Sequence, residues 1–339
     1  MNVELIGEDA EWDAFVAAHP CGLLYYTTAF RDLLVRLLNC KTRYLVARDD
    51  RGIAGLLPLV VQGGQHGDVV NSLAYYGSNG GMLTTQPEAS AALAAAYTEI
   101  ALDNGTVSST VIENPLAGEL QGIPHTLVDE RIAHLTPLPA EGTREAVFAL
   151  IDSSARRNVR KAEAAGITAS RDGTQFDRLY EIHDQNIRAL DGLPKDRRFF
   201  QLVPEIFERG RDYDLWVARK GGRVIAALLV FYCNGVVEYY TPAVDHEHRS
   251  EQPLAVILAE AMATAAGAGM RTWNWGGTWL TQESLRRFKV KWGAEERRYR
   301  YLTQLNDDRL LDLSPSEIMA AYPNFFVARF NALRLGGST

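Results

Sequence analysis

A run rich in tryptophan, glycine and basic residues, from position 272 to position 294, is the part of the sequence best suited to chemistry. Four of the six tryptophans fall in this run, where a strand-like segment leads into Gly276-Gly277 and then into a short helix. Backbone amides at such a strand end can face a ligand, the glycines allow close approach, and the indole rings form a rigid apolar wall. A tryptophan-rich core corner is the alternative. The residues predicted to bind substrate here are Asn274, Trp275, Gly276, Gly277, Thr278 and Gln282.

Two basic clusters lie in a chain that is acidic overall. The chain has 42 acidic and 35 basic side chains, yet residues 286–300 contain seven basic and two acidic ones. A second cluster lies on the helix predicted at 154–163, where four cations occur within six residues. Such clusters can neutralise a pyrophosphate or several phosphates, although a solvated helix surface is the alternative for each. The cations predicted to bind substrate are Arg157, Arg160, Lys161, Arg286 and Lys291.

Two turns carry weaker chemical signals. Residues 75–81 read Tyr-Tyr-Gly-Ser-Asn-Gly-Gly after a predicted strand, so Tyr75, Tyr76 and Asn79 are predicted to line one wall of a cleft, with a plain hairpin turn as the alternative. Residues 245–248 read Asp-His-Glu-His, but no other histidine is close in sequence, so a solvated loop is favoured over a metal site. We therefore predict no bound metal.

The absence of several motifs narrows the function classes. The sequence has no Gly-x-x-x-x-Gly-Lys-Ser/Thr, Gly-x-Ser-x-Gly or His-Glu-x-x-His motif and no Rossmann glycine fingerprint. Nucleotide hydrolysis, serine hydrolase chemistry and zinc proteolysis are therefore unsupported. A net charge of -7 argues against a protein that coats nucleic acids in general.

Composition predicts a cytoplasmic protein without a membrane span. The first residues, Met1 to Trp12, are acidic, whereas a secretion signal needs positive charge followed by an apolar run. The longest apolar stretch, residues 224–232, is well short of the roughly 20 residues that span a bilayer. The three cysteines are far apart, which fits a reducing compartment.

An internal repeat organises the chain. Residues 44–60 and 215–230 each predict a β-hairpin, in which a short apolar strand, a glycine-containing turn and a longer apolar strand follow one another. Each hairpin follows a predicted helix and precedes an alanine-rich helix and a further strand; in the second copy the alanine-rich helix is predicted at 253–267. The order predicts two tandem copies of one unit, each burying its own sheet face. A chance match within an ordinary α/β chain is the alternative.

The predicted fold class is therefore α/β (α+β), with two domains. Pro137 and Pro139 interrupt the pattern, so the first domain is expected at 1–140 and the second at 141–339. The second domain is expected to include the basic linker helix and a C-terminal helix, which begins with the capping-box sequence Ser314-Pro315-Ser316-Glu317 and is kinked at Pro323.

Three segments form a recognisable order along the chain. They are the helix from Ser154 to Glu163 followed by Gly166, the segment Arg249-Ser250-Glu251-Gln252-Pro253-Leu254 before a long helix, and Trp275-Gly276-Gly277 leading into Arg287-Phe288-Lys289 and Trp292-Gly293-Ala294. Together these segments resemble the Fem family of peptidyltransferases, within the wider GNAT-like N-acyltransferases. The resemblance is better from about 150 to 303 than over 1–135. It implies tandem GNAT-like domains around a shared cleft, each a mixed, mostly antiparallel sheet flanked by helices.

The resemblance also implies an amide-forming enzyme. Members of the family transfer an amino acid from aminoacyl-tRNA to an amine, and similar proteins acylate amino sugars from coenzyme A thioesters. The resemblance places Lys289 in the Phe-Lys motif of the family, as a catalytic cation that contacts the donor and stabilises developing charge. Glu238 and Asp245 bracket the end of a predicted strand of the second copy, and Glu238 is the candidate base; the alternatives are that these carboxylates are solvated or that groups of the acceptor relay the proton. Tyr240 and Arg249 are expected to bind substrate.

The nature of the donor can be argued from residues 249–254. A coenzyme A pyrophosphate is commonly cradled by glycine amides at a helix start. This segment has no glycine, Pro253 lacks an amide hydrogen, and Glu251 would repel phosphate. Aminoacyl-tRNA is therefore the favoured donor co-substrate, with acyl-CoA as the alternative, and no bound cofactor is expected.

The predicted function is an acyltransferase that moves an aminoacyl group from aminoacyl-tRNA to the primary amine of a phosphate-bearing or peptide precursor in cell-envelope or natural-product biosynthesis. One alternative is acyl-CoA-dependent N-acylation of a nucleotide-linked amino sugar in surface-polysaccharide biosynthesis. Another is a non-catalytic ligand-binding protein on the same scaffold. The expected partners are the donor and a small-molecule amine acceptor.

Overall fold

The computed structural model describes residues 1–75 and 80–334, which divide into two compact units. Unit 1 comprises Met1–Ile132 and, from Arg298, the rest of the described chain, and unit 2 is Ala133–Arg297. These units differ from the expected segments 1–140 and 141–339, since the residues from 298 onward pack with unit 1. The reason is that a strand containing Tyr301 pairs with a strand containing Ile112.

Unit 1 contains two sheets and the helices that cover them. The four strands in the order β1-β3-β4-β7 form one sheet, and the strands in the order β2-β5-β6-β8-β15 are neighbours in the other. The elements of unit 1 in chain order are β1 (Asn2–Leu5), α1 (Asp9–Ala18), α2 (Thr28–Leu38), β2 (Lys41–Thr42), β3 (Leu45–Asp49), β4 (Gly52–Leu57), β5 (Val60–Gly64), β6 (Gly67–Asn71), β7 (Leu83–Thr84), α3 (Pro87–Ala101) and β8 (Thr106–Ile112). The strands β9 (Leu127–Pro137) and β15 (Glu295–Leu305) cross the unit boundaries.

The helix in the C-terminal segment of unit 1 is shorter than predicted. The predicted capping box is present, since Ser314 accepts from the Glu317 amide and the Glu317 carboxylate accepts from the Ser314 amide. The helix, Pro315–Ala321, ends before Pro323 and is not a kinked helix through it. Proline disfavours a helical conformation at the preceding residue, which accounts for this end.

Unit 2 contributes five neighbouring strands to a sheet, in the order β10-β11-β12-β13-β14, together with helices. Its elements in chain order are α4 (Arg144–Leu150), α5 (Ser153–Ala164), β10 (Thr168–Arg171), α6 (Phe176–Arg188), α7 (Arg197–Ile206), β11 (Tyr213–Lys220), β12 (Arg223–Cys233), β13 (Val236–Val244), α8 (Pro253–Gly267), β14 (Thr272–Trp279) and α9 (Glu283–Val290). The sheet is mixed and mostly antiparallel, because only β13 and β14 pair in parallel here. The predicted fold class and the second hairpin are confirmed.

Helix α8 is the centre of the unit 2 core. It is alanine-rich and largely apolar, and most of its residues are buried. Alanine allows close packing, and α8 accordingly contacts α4 and α5 as well as strands β10 to β13. This packing places the start of α8 next to the last residues of β13, where the candidate site lies.

Two irregularities of β13 open the sheet beside α8. The pairing of β12 with β13 shifts between Leu229 and Val230, which leaves Tyr240 as an extra residue in β13. The parallel register of β13 with β14 covers only Val236–Glu238 against Thr272–Asn274, although both strands continue. A bulge bends a strand and increases its twist, so the two strands part after Glu238 and Asn274.

The described part of the chain contains no helix that is both long and apolar enough to cross a membrane.

Candidate active site

A cavity of about 730 Å³ lies within unit 2. It is bounded by α5, the second half of β13, the start of α8 and one side of α9. The lining residues are Ala155, Asn158, Asn186, Tyr239, Pro242, Ala243, Val244, Arg249, Gln252, Pro253, Leu254, Ala255, Ser284, Arg287, Phe288, Lys291 and Trp292. The parting of β13 from β14 therefore opens onto a space that is large enough for the reactive end of a donor molecule.

The cavity combines an apolar wall with a positively charged rim. Tyr239, Phe288 and Trp292 supply aromatic surface, and the lining contains Arg249 and Lys291 but no acidic residue. A second groove of about 440 Å³ on α9 shares Arg287 and Lys291 with the cavity. An anionic group is therefore favoured at the rim, while an uncharged chain is favoured inside.

The four cations of the basic helix α5 differ in their contacts. Arg156 donates from one guanidinium nitrogen to the carbonyls of Phe148, at 2.8 Å, and Ile151, at 2.6 Å, and so closes the C-terminal end of α4. The other three predicted cations are exposed, and none makes an ion pair within the described chain; they are Arg157, Arg160 and Lys161. Asn158, on the same helix, lines the cavity.

The start of α5 is attached to the end of α9. The N-cap is Asp152, whose side chain accepts from the Ser154 amide. The Asp152 amide donates to the Lys291 carbonyl at 2.8 Å. The cations of α5 and α9 are therefore held next to one another.

The segment before α8 has a conformation set by Gln252 and Pro253. Gln252 adopts a left-handed conformation with φ of 62°, and Pro253 occupies the first turn of the helix. Glu251 accepts hydrogen bonds from Lys220 and, at 2.9 Å, from His248. The expected repulsion between Glu251 and a phosphate is consequently reduced by its two basic partners, while Arg249 faces the cavity.

Lys289 is buried and holds the turn at the end of β14. Only 2% of the residue is exposed, and Nζ donates to the carbonyls of Gly276 at 3.2 Å and Gly277 at 3.5 Å and to Thr278 Oγ1 at 2.7 Å. Burial lowers the pKa of this ammonium to about 7. The three oxygens account for all three protons of the ammonium, and Lys289 does not line the cavity.

A hydrogen-bonded chain continues from Lys289 to the surface. Thr278 is 3.3 Å from His134 Nδ1, and His134 Nε2 is 3.2 Å from Glu296, which also binds Arg286. Burial, and then the nearby charge of Lys289, lower the pKa of His134 to about 4. The neutral imidazole can therefore accept from Thr278 and donate to Glu296. Arg286, predicted to bind substrate, is engaged by Glu296.

Glu238 and Asn274 form a second buried pair. The Asn274 amide donates to Glu238 at 3.2 Å, and Asn274 Oδ1 accepts from the Gly276 amide at 2.9 Å. The two residues lie opposite each other at the last parallel pair of β13 and β14. Tyr240 packs against Phe199, on α7. These contacts set the point at which the strands separate.

The predicted wall of residues 275–278 lies behind the cavity and does not line it. Trp275 is 3% exposed, its Nε1 donates to Thr136 at 2.9 Å, and its ring packs against Trp292 and Tyr239. Gly276, Gly277 and Thr278 accept hydrogen bonds from the Lys289 ammonium. Trp275 therefore supports the aromatic lining of the cavity from behind.

The remaining predicted residues are placed as follows. Tyr75 is buried in unit 1, where its amide donates to the Asn324 carbonyl, whereas Tyr76 and Asn79 lie outside the described residues. Gln282 precedes α9 and accepts from the Trp279 amide. In the Asp-His-Glu-His segment, Asp245 accepts from Arg178 and Arg223.

Several residues of the site are missing from the sequence predictions. Tyr239, Asn158, Pro242 and Phe288 line the cavity, and His134 belongs to the chain that ends at Lys289. Arg287 lines both the cavity and the groove. A helical wheel of α5 places Asn158 beside Lys161, which could have identified it, but nothing local in the sequence marks His134.

The segment that lines most of the cavity is similar to a known protein family. Residues 152–290 match the family described as "Acetyltransferase (GNAT) domain", a range that extends from the cap of α5 to the end of α9. This segment is therefore similar to an acetyltransferase domain of GNAT type, and the prediction of an acyltransferase enzyme is confirmed at this level. No curated protein matches the chain in sequence.

Solved structures give the same fold over nearly the whole chain. FemX superimposes with a TM-score of 0.70 at 16% identity, covering 89% of this chain and 97% of FemX. L-PGS from Bacillus licheniformis gives 0.53 at 11% identity, covering 91% and 95%. A tandem GNAT protein from the clavulanic acid biosynthesis pathway gives 0.50 at 12% identity, covering 89% and 98%. The predicted Fem-like, tandem GNAT fold is confirmed.

Proposed function

We propose that the protein is an N-acyltransferase that transfers an aminoacyl group from aminoacyl-tRNA to the primary amine of a phosphate-bearing or peptide precursor in cell-envelope or natural-product biosynthesis. The reactive end of the donor occupies the cavity bounded by α5, β13, α8 and α9. The backbone phosphates of the donor lie along the exposed cations of α5 and α9.

The proposal rests mainly on the unpaired cations around the cavity. Arg249, Arg287 and Lys291 line it, and Arg157 and Lys161 extend the positive surface along α5. None of the five makes an ion pair within the described residues. This number exceeds what one pyrophosphate needs, and it suits a chain of phosphates.

Three cations of unit 2 that do not line the cavity are paired with carboxylates. Arg178 is held by Asp245, Arg219 by Asp172 and Lys220 by Glu251. These three cations already have carboxylate partners, whereas the five at the cavity do not, as expected for a surface that receives an anionic ligand.

The chemistry requires a neutral amine, an activated carbonyl and a route for one proton. Holding donor and acceptor together lowers the entropic part of the barrier. Glu238 is our candidate base, because its buried carboxylate lies where β13 and β14 part. Lys289 contributes positive charge behind the cavity, next to the Gly276 and Gly277 carbonyls.

The decisive experiment compares donors. Purified protein is incubated with radiolabelled aminoacyl-tRNA or with a panel of acyl-CoA thioesters, in the presence of amino-sugar and peptide acceptors, with and without ribonuclease. We expect an amide product that ribonuclease treatment of the donor abolishes. An amide that forms only from acyl-CoA would contradict the tRNA donor, and tight binding without any amide would favour a non-catalytic ligand-binding protein.

A matched pair of variants tests whether the described cavity is the donor site. Arg287→Ala combined with Lys291→Ala removes two rim cations and should weaken donor binding at least tenfold. Arg211→Ala removes an exposed arginine that does not line the cavity, and it should leave binding unchanged. Equal donor affinity in both variants would place the donor elsewhere.

An acyl-CoA donor is the second candidate, and two observations favour it. The matched family is an acetyltransferase domain. Glu251 is also engaged by Lys220 and His248, so it opposes a pyrophosphate at the start of α8 less than its sequence position suggests. Under this candidate the acceptor is a nucleotide-linked amino sugar, and ribonuclease has no effect on product formation.

A further inference from the structure

The cavity is bordered by the part of β13 that lies beyond its pairing with β14. The parallel register of the two strands ends at Glu238, whereas the pairing of β13 with β12 continues to Val244. Pro242, Ala243 and Val244 line the cavity, so one row of backbone groups of β13 faces it. Such a row can bind an extended ligand that carries secondary amides, because the ligand then adds to the sheet like a further strand.

The register of β13 shows which backbone groups point to this open edge. The Asp245 amide donates to the Ile225 carbonyl of β12 at 2.8 Å, and along an antiparallel strand such residues alternate with residues that point away from the partner strand. The backbone groups of Val244 and Pro242 therefore point to the open edge. Since proline has no amide hydrogen, Pro242 brings only a carbonyl to it. Among residues 241–244, Val244 alone brings an amide hydrogen.

Asn186, from α6, binds both backbone groups of Val244. Its side-chain nitrogen donates to the Val244 carbonyl at 2.9 Å, and its side-chain oxygen accepts from the Val244 amide at 3.1 Å. A neighbouring strand would make the same two bonds, so the side chain of Asn186 takes the place of the next strand at this residue. Asn186 also lines the cavity, and it therefore lies between the open edge and the space that a ligand can fill.

We propose that Asn186 determines donor specificity by closing the open edge of β13 to ligands with a peptide-like arm. An acyl-CoA has such an arm, since two secondary amides separate its thioester from its phosphates. The ester of an aminoacyl-tRNA is attached directly to a ribose and has none. Asn186 therefore disfavours donors of the first class without affecting donors of the second. This inference rests on the proposed function, and it names the class of donor that the cavity rejects.

The first test measures what the arm contributes to binding. The probes are coenzyme A and its phosphorylated ADP portion, which lacks the arm, and isothermal titration calorimetry gives both affinities. Asn186→Ala frees both backbone groups of Val244. Coenzyme A should then bind about tenfold more tightly than it binds wild type, as expected for two hydrogen bonds gained, while the affinity for the ADP portion should not change.

Gln185→Ala is the matched control. Gln185 is the neighbouring residue on α6, is exposed and does not line the cavity. This variant should bind both probes with wild-type affinity. The thermal unfolding midpoints of the two variants show that each is folded at the temperature of the titrations.

NMR signals of the amide groups provide a readout that a merely structural role of Asn186 would not affect. When coenzyme A is added to wild type, the side-chain signal of Asn186 should keep its position, because its bonds to Val244 remain. In Asn186→Ala the Val244 amide should exchange rapidly with water, and saturating coenzyme A should slow this exchange about tenfold or more. If Asn186 only attached α6 to β13, coenzyme A would not protect Val244 in the variant.

Two results would overturn the inference. One is that Asn186→Ala binds coenzyme A no more tightly than wild type does. The other is that coenzyme A moves the Asn186 side-chain signal of wild type to the position of a solvated amide; this measurement does not depend on the folding of any variant. Amide formation by wild type from acyl-CoA alone, with the Asn186 signal unchanged, would instead overturn the tRNA donor and leave the role of Asn186 in place.

Discussion

The protonation of the buried Lys289 side chain is coupled to the stability of the folded protein. Its pKa is about 7 in the folded protein and 10.5 in its unperturbed state, because burial opposes the charge. Between these two values the unfolded chain binds more protons than the folded protein, so this residue makes stability rise with pH from about 7 to 10.5. Below about 7 both states are protonated, and the contribution is constant.

Lys289→Met should remove this pH dependence. We expect the free energy of unfolding of wild type, minus that of the variant, to increase between about pH 7 and pH 9.5, because the variant cannot titrate. Urea denaturation at several pH values measures it, and other groups cancel in the difference. Lys291→Met is the control at an exposed position. A difference that stays flat for Lys289→Met would show that its ammonium is stabilised enough to keep a normal pKa.

Adjacent arginines of α5 separate a structural role from a binding role. Arg156→Ala removes a charged donor from the carbonyls of Phe148 and Ile151, and it should lower the free energy of unfolding by about 1.5–3 kcal/mol. Arg157→Ala changes an exposed, unpaired side chain, and it should alter stability by less than about 0.5 kcal/mol. Urea denaturation measures both changes. Equal losses would mean that α5 does not depend on the bonds of Arg156 to α4.

The turn after α9 depends on glycine at position 293. Gly293 has φ of 77°, and a Cβ there would lie 2.9 Å from Leu150, on α4. Gly293→Ala should therefore combine backbone strain with a clash and destabilise the protein by about 2–4 kcal/mol. Gly166→Ala is the matched control, since Gly166 has φ of 74° but open space around it, and should cost only about 1–2 kcal/mol. Similar losses in thermal or urea unfolding would contradict the tight contact.

Elements with a strong local signal could be predicted, and contacts between distant elements could not. The helix predicted at 253–267 is α8 with the same bounds, because alanine content and a proline at its start are visible in the chain. The cap of α5 at Asp152 and the role of Arg156 depend on α9 and α4, respectively. For the same reason the family resemblance pointed to Lys289 as a catalytic cation, but the sequence could not reveal that its ammonium donates to Thr278, which in turn lies beside His134.

At the scale of the whole molecule, charge is arranged so that a net acidic protein presents a local basic surface. The chain carries a formal charge of -7, yet the rim of the cavity has cations and no acidic residue. Overall repulsion lowers affinity for nucleic acids in general, while the local field favours an anion at one place. The expected result is binding that is weak at high ionic strength and confined to the region of α5 and α9.

Salt dependence provides a test of how many phosphates this surface contacts. For a single-stranded donor end, log K falls with log salt concentration with a slope of about -0.7 for each neutralised phosphate. Replacing Arg157, Arg160 and Lys161 with alanine should therefore reduce the magnitude of the slope for tRNA binding by about 2 and weaken binding at low salt. Filter binding between about 50 and 300 mM salt measures it, with Arg211→Ala as the control. An unchanged slope in the triple variant would exclude α5 from the donor surface. The remaining cations would then be Arg249, Arg287 and Lys291 at the rim of the cavity. Three cations suit a pyrophosphate better than a tRNA.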